Sequence, residues 1–275
     1  MTDASLSSDR LTQSDFRVGQ VFSRTWSVLS RNVLKFSMVM GFALLPILLL
    51  FWTVTVDNAG NPLVARLVSW TGFLFIFLSM LCQAVVVHGA FQHMLGRPVN
   101  LVDGVKVSLS RFFSLIGLGL VFVLVLTAFV IVGAALLFVV PGLRYAIPLL
   151  IILIAMLYLA WSMATPACVV EWAGPFRSLA RSRALTKGHR WKILGLLLVS
   201  VLGGIIIGAI VGATSGAILA LIGAGGLRSA LSTVIGLIWE AVWLAFFAVL
   251  TVVTYHDLRV AKEGVNTDQI AAVFE

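Results

Sequence analysis

Residues 166–216 read PACVVEWAGPFRSLARSRALTKGHRWKILGLLLVSVLGGIIIGAIVGATSG, and three textures follow one another in this run. The first residues close a hydrophobic stretch, residues 174–192 are basic and amphipathic, and the remainder is apolar with Gly204, Gly208, Gly212 and Gly216 at every fourth position. That order describes a membrane exit, a surface helix and a re-entry. Pro175 suits the first turn of a helix, where its missing N–H costs no hydrogen bond. Phe176, Leu179, Ala180 and Ala184 then share one face at helical spacing, while Arg177, Arg181 and Lys187 take the other. Gly188 is placed to end the helix, and Trp191 with Lys192 to anchor the turn at headgroup level. The spacing predicts a surface helix over 175–187.

Composition extends this reading to the whole chain. At 275 residues, 60% hydrophobic and 11% charged, with a mean hydropathy of +1.08, the sequence is too apolar for a soluble domain and reads as an all-α integral membrane protein. The net charge of +8 lies in short clusters beside apolar runs. That placement points to anionic phospholipid headgroups and away from nucleic acid. Cys82 and Cys168 each stand near the end of a hydrophobic run and are expected to be inert packing residues. The polar first 32 residues carry Asp3, Asp9 and Asp15, unlike a cleavable signal peptide, so the first span is expected to stay in the mature protein.

Residues 1–13 are expected to form a disordered tail ahead of one membrane domain over 14–259, with a cytoplasmic tail at 260–275. Ser14 is placed to cap a surface helix over 15–31, in which Val18, Val21, Phe22, Trp26 and Leu29 recur at helical spacing. Six spans are expected at about 36–56, 67–90, 113–140, 145–170, 193–222 and 229–255. Pro46 should kink the first, and turns are placed at residues 57–62, at Pro141-Gly142 and at the glycine-rich 223–226. A second surface helix is expected at 101–111, with Asn100 and Asp103 as a capping box and Val102, Val105, Leu109 and Phe112 as its apolar stripe.

The order is repetitive. Arg31, Arg111 and Arg190 precede spans one, three and five, and His88, Glu171 and His256 close spans two, four and six at comparable intervals. The chain thus reads as three copies of a surface helix plus a transmembrane hairpin. All Lys and Arg residues except Arg66, Arg144 and Arg228 fall in the termini and the even-to-odd connections, which predicts cytoplasmic termini in a bacterial inner membrane.

Pro166, Glu171, Gly174-Pro175, Arg181-Ser182, Leu185 to Gly188 and Arg190-Trp191, with Tyr255, Asp257 to Arg259 and Lys262 to Gly264, carry a family resemblance. This pattern resembles the bacterial six-span family that includes YciC-type proteins. It is also similar to the membrane domain attached to some glycerophosphoryl diester phosphodiesterases. The resemblance implies an inner-membrane protein. In the fused proteins the chemistry belongs to a separate soluble barrel, so no catalytic residue is carried over.

Candidate site residues follow from the same reading. Arg177, Arg181, Arg183, Lys187, Arg190 and Lys192 are expected to bind lipid headgroups. Gly204, Gly208, Gly212 and Gly216 form a ladder on which a neighbouring helix, or a second copy of the chain, could approach closely. Glu240 stands near a span centre, where an ionisable group is costly, and is expected to be neutral and to donate a hydrogen bond to Thr214, Ser215 or a backbone carbonyl. His88, His93, Glu171, His189, His256 and Asp257 gather near one rim but lack the spacing of a metal site. The serine in GATSG lacks a positioned base, so neither a catalytic set nor a cofactor is expected. The leading expectation is a non-enzymatic protein that binds anionic lipid or a membrane-protein partner through a basic collar. The alternative is a small-molecule or proton-coupled transporter that uses Glu240.

Overall fold

The computed structural model describes residues 16–49, 62–139, 147–223 and 225–263, and every regular element among them is helical. The elements are α1 (Val18–Ala43), α2 (Pro62–Met94), α3 (Leu101–Ser110), α4 (Phe112–Val139), α5 (Ile147–Trp161), α6 (Ala164–Val170), α7 (Pro175–Thr186), α8 (Arg190–Ala220) and α9 (Gly226–Glu263). Five helical stretches are long and apolar enough to cross a bilayer: 70–94, 112–135, 148–170, 190–220 and 226–263. The chain is an all-α multi-pass membrane protein. The expected first span, 36–56, is helical over residues 36–43 and 45–49, and its remainder lies outside the described residues. So do the tail 1–13, Ser14, the turns at 57–61 and Pro141-Gly142, and residues 264–275.

The first and last described helices meet. Arg24 on α1 is 2.7 Å from Asp257 on α9, and Lys192 at the start of α8 donates to the Phe16 carbonyl at 3.3 Å. Both described ends of the chain therefore lie at one end of the bundle, while the expected first span, 36–56, is described only as far as residue 49.

Where the helices break, prolines explain it. A proline lacks the N–H that would bond residue i−4, and its ring crowds that carbonyl. Pro46 interrupts the first span at Leu44, and Pro166 divides the fourth into α5 and α6 at Ser162 and Met163. The surface helix and the first span are one element, α1, bent at Asn32, whose backbone leaves the helical region (φ −131°, ψ 16°) and whose Nδ2 donates to the Val28 carbonyl. Arg17 occupies the N-cap position.

The two shorter surface helices form at 101–110 and 175–186, close to the expected bounds. Asn100 caps α3 as anticipated, accepting from the Val102 N–H at 3.0 Å and donating to Asp103 at 2.8 Å. Gly188 lies just past α7 with φ +89°, the left-handed conformation that stops a helix. The faces they turn into the protein differ from the expected apolar stripes, except at Leu179. In α3 the buried residues are Gly104 and Ser108, and Val102, Val105 and Leu109 point outward. In α7 they are Ser178, Leu179, Ser182, Leu185 and Thr186, with Phe176, Ala180 and Ala184 exposed. Gly104 and Ser108 in α3, and Ser178 and Ser182 beside Leu179 and Leu185 in α7, let each helix settle closely against the spans.

The densest packing lies at the end where the basic clusters meet, around Phe36, Leu115, Leu185, Ile193, Tyr255 and Leu258. Toward the opposite end the helices expose Ile205, Ile210, Ile218 and Leu221, as a bilayer permits. α9 runs on to Glu263, past the expected boundary at 259, because its last turn is tied to α7.

Candidate functional site

The C-terminal turns of α9, the turn after α6 and the inner face of α7 converge on one polar network. Glu171 caps α6 at its C-terminus, and its carboxylate accepts from Arg181 Nε at 2.9 and 3.0 Å. Tyr255 donates its hydroxyl to the same carboxylate at 2.5 Å. On its other side Arg181 pairs with Glu263, which also accepts from Arg259 Nε at 3.0 Å, one helical turn away. Lys262 donates to the Ala184 carbonyl on α7. Two carboxylates and two guanidiniums thus neutralise one another within the protein. Partial burial acts to lower the Arg181 pKa, but the hydrogen bonds and charges of Glu171 and Glu263 more than offset it, so the guanidinium stays above its ordinary value.

Ser182 does the corresponding work at the helix break. Fully buried, it donates to the Ala160 carbonyl at 2.8 Å and accepts from the Met163 N–H at 3.1 Å, satisfying backbone groups between α5 and α6. Ser108 on α3 likewise donates to the Leu81 carbonyl on α2 at 2.9 Å. In both repeats a serine of the surface helix therefore binds a carbonyl of the preceding span.

A second clamp joins the repeats. Arg111 lies 3.7 Å above the Trp172 ring centroid and donates to the Trp172 carbonyl at 3.2 Å. Trp172 has φ +55°, a conformation that non-glycine residues adopt at a cost, so the stacked guanidinium stabilises a strained turn.

The six collar residues consequently divide. Arg181 is engaged inside the chain, Arg190 is half-buried, and Lys192 is bonded to the backbone before α1. Arg177, Arg183 and Lys187 are exposed and have no acidic partner among the described residues. Beside them Trp172, Phe176 and Trp191 are 61, 73 and 74% exposed. This surface offers unpaired cations together with aromatic rings, a combination suited to the headgroup layer of a bilayer.

The glycine ladder is half occupied. A Cβ on Gly204 would come within 1.8 Å of the Trp243 ring, and one on Gly208 within 3.0 Å of Trp239 Nε1, whereas Gly212 and Gly216 have nothing within 4 Å. The two glycines therefore seat indole rings of α9 and are not the backbone-to-backbone zipper that the spacing suggested. Trp239 and Trp243 stack 5.9 Å apart, and Trp243 stacks on Phe246 at 5.5 Å.

Glu240 does not meet Thr214 or Ser215. Those hydroxyls bond carbonyls of their own helix, as Ser and Thr do in apolar surroundings. The register that sets Gly204 against Trp243 and Gly208 against Trp239 puts Thr214 about seven residues, or ~10 Å, beyond the level of Glu240. Glu240 instead borders a cavity of about 610 Å³ among the spans. The sequence reading placed Glu240 at this depth but missed the cavity, because its walls come from several helices with no shared motif.

Cys82 and Cys168 are both free and buried, as expected of packing residues. Among the described residues no group of three His, Cys, Asp or Glu side chains is arranged to hold a metal ion.

A family model described as a domain of unknown function (DUF7847) matches residues 16–258, nearly the full length of the chain. No curated protein and no solved structure matches it.

Proposed function

We propose that this chain, which belongs to the DUF7847 family, is a non-enzymatic inner-membrane protein that binds anionic phospholipid at its cytoplasmic face. One observation carries the reading. Arg177, Arg183 and Lys187 stand exposed and without an acidic partner among the described residues, flanked by exposed Trp172, Phe176 and Trp191, while Arg181 beside them is neutralised by Glu171 and Glu263. Surface cations gain about 1 kcal/mol each beside an anionic leaflet, so three add on the order of 3 kcal/mol. Exposed aromatic rings at the same level hold the helix in the headgroup layer. The cytoplasmic orientation rests on the distribution of Lys and Arg. Kinship with the YciC-type proteins agrees with this reading and belongs to the proposal.

The test is the lipid content of the purified protein. Wild type is compared by mass spectrometry with a variant carrying Arg177→Gln, Arg183→Gln and Lys187→Gln, which leaves the Glu171–Arg181–Glu263 network intact.

A further inference from the structure

The cavity beside Glu240 lies between α2, α4, α5, α6, α7, α8 and α9, and at about 610 Å³ it falls within the roughly 300–1,000 Å³ range of small-molecule sites. Its wall presents the rings of Phe122, Tyr158, Trp161, Trp243 and Phe247 with one carboxyl group, Glu240. Among the described residues no Lys, Arg or His lines it, and Glu240 makes neither a hydrogen bond nor an ion pair. Along α9, Glu240, Trp243 and Phe247 fall at i, i+3 and i+7, so the carboxyl group and two of the rings share one face. The wall is preorganised, because Trp243 is seated on Gly204 and held edge-on by Phe247 at 4.8 Å.

We infer that this cavity binds a lipophilic organic cation, with its positive centre at Glu240 and its apolar substituents among the rings. A lone carboxylate at membrane depth is stabilised by a cation, and the faces of Trp, Tyr and Phe attract the same charge. A divalent metal ion is disfavoured because a single carboxyl group leaves most of its charge uncompensated, and among the described residues no group of three His, Cys, Asp or Glu is arranged to hold one. An anionic lipid would bring no partner of opposite sign to the carboxyl group of Glu240. Leu179 of α7 borders the cavity, but the collar cations Arg177, Arg183 and Lys187 do not line it.

Tetraphenylphosphonium is the probe and tetraphenylborate, an anion of the same shape, is the control. Binding is measured by equilibrium dialysis of the full chain in phosphatidylcholine nanodiscs, with partition into empty discs subtracted, so that no anionic lipid attracts the probe. The cation should bind saturably at one per protein, and the anion should not. Glu240→Gln should weaken cation binding at least tenfold, and Trp243→Leu severalfold. Equal saturable binding of both ions would show that the cavity reads only shape and would overturn the assignment, as would a Glu240→Gln variant that binds the cation as wild type does. Should the variants fail to fold, the two probes on wild type decide the question, and an absence of saturable cation binding there contradicts the proposal.

Discussion

Tyr255 donates a 2.5 Å hydrogen bond to Oε1 of Glu171, joining the last span to the end of the fourth across 84 residues of sequence. The same carboxylate holds Arg181, so one acid fixes α6, α7 and α9 at once. Removing the hydroxyl leaves a charged acceptor short of a partner. Tyr255→Phe should therefore cost about 1.5–3 kcal/mol, read as a lower melting temperature in detergent. Melting equal to wild type would mean that the network is not formed in the membrane-extracted protein.

The glycine ladder yields a paired expectation. Gly204→Ala drives a methyl group into the Trp243 indole and should lower the melting temperature, whereas Gly212→Ala meets open space. The latter should be neutral or gain up to about 1 kcal/mol from helix propensity. Destabilisation by both substitutions would imply that a second copy of the chain covers the outer half of the ladder.

Ser182→Ala removes a buried bond to the Ala160 carbonyl and leaves the Met163 N–H unsatisfied. A loss of about 1–3 kcal/mol is expected. Melting of Ser182→Ala equal to wild type would mean that the broken fourth span does not depend on α7.

Orientation can be read by thiol labelling in intact cells. Cysteine introduced at Lys187 should be protected from an impermeant probe and cysteine at Gly225 should react, while the native Cys82 and Cys168 are buried and give little background. Ser182 is unsuitable because it is fully buried and would stay silent on either side. The reverse pattern would invert the topology.

The sequence was informative where a local rule decided the structure. Pro46 interrupts its helix, Gly188 stops α7, and Asn100 caps α3, each through chemistry confined to a few neighbouring residues, whereas the sequence reading of the fourth span as one run over 145–170 missed the break before Pro166. It misled where a face had more than one use. Phe176, Leu179, Ala180 and Ala184 read as one apolar face of a surface helix, but only Leu179 of them is buried, and it is the serines Ser178 and Ser182 that turn inward beside it. Arg181 was indistinguishable from Arg177 and Arg183 in sequence. Only the fold brings Glu171 and Glu263 to it, from 10 residues before and 82 after. Glu240 was conspicuous as an isolated charge, yet its surroundings depend on how the spans converge.

The account turns on the unpaired cations of α7. The decisive measurement is the quantity of phosphatidylglycerol and cardiolipin that survives purification with wild type and with the Arg177→Gln, Arg183→Gln, Lys187→Gln variant, at low and high salt. With about 1 kcal/mol lost per charge, affinity for anionic lipid should fall on the order of a hundredfold, so the variant should lose most of its bound anionic lipid while its melting temperature holds. Wild type should lose the same lipid as salt rises, since screening shortens surface interactions to about 10 Å at 0.1 M. Equal retention by variant and wild type, with folding and orientation unchanged, would contradict the account and leave these residues only the task of orienting the chain.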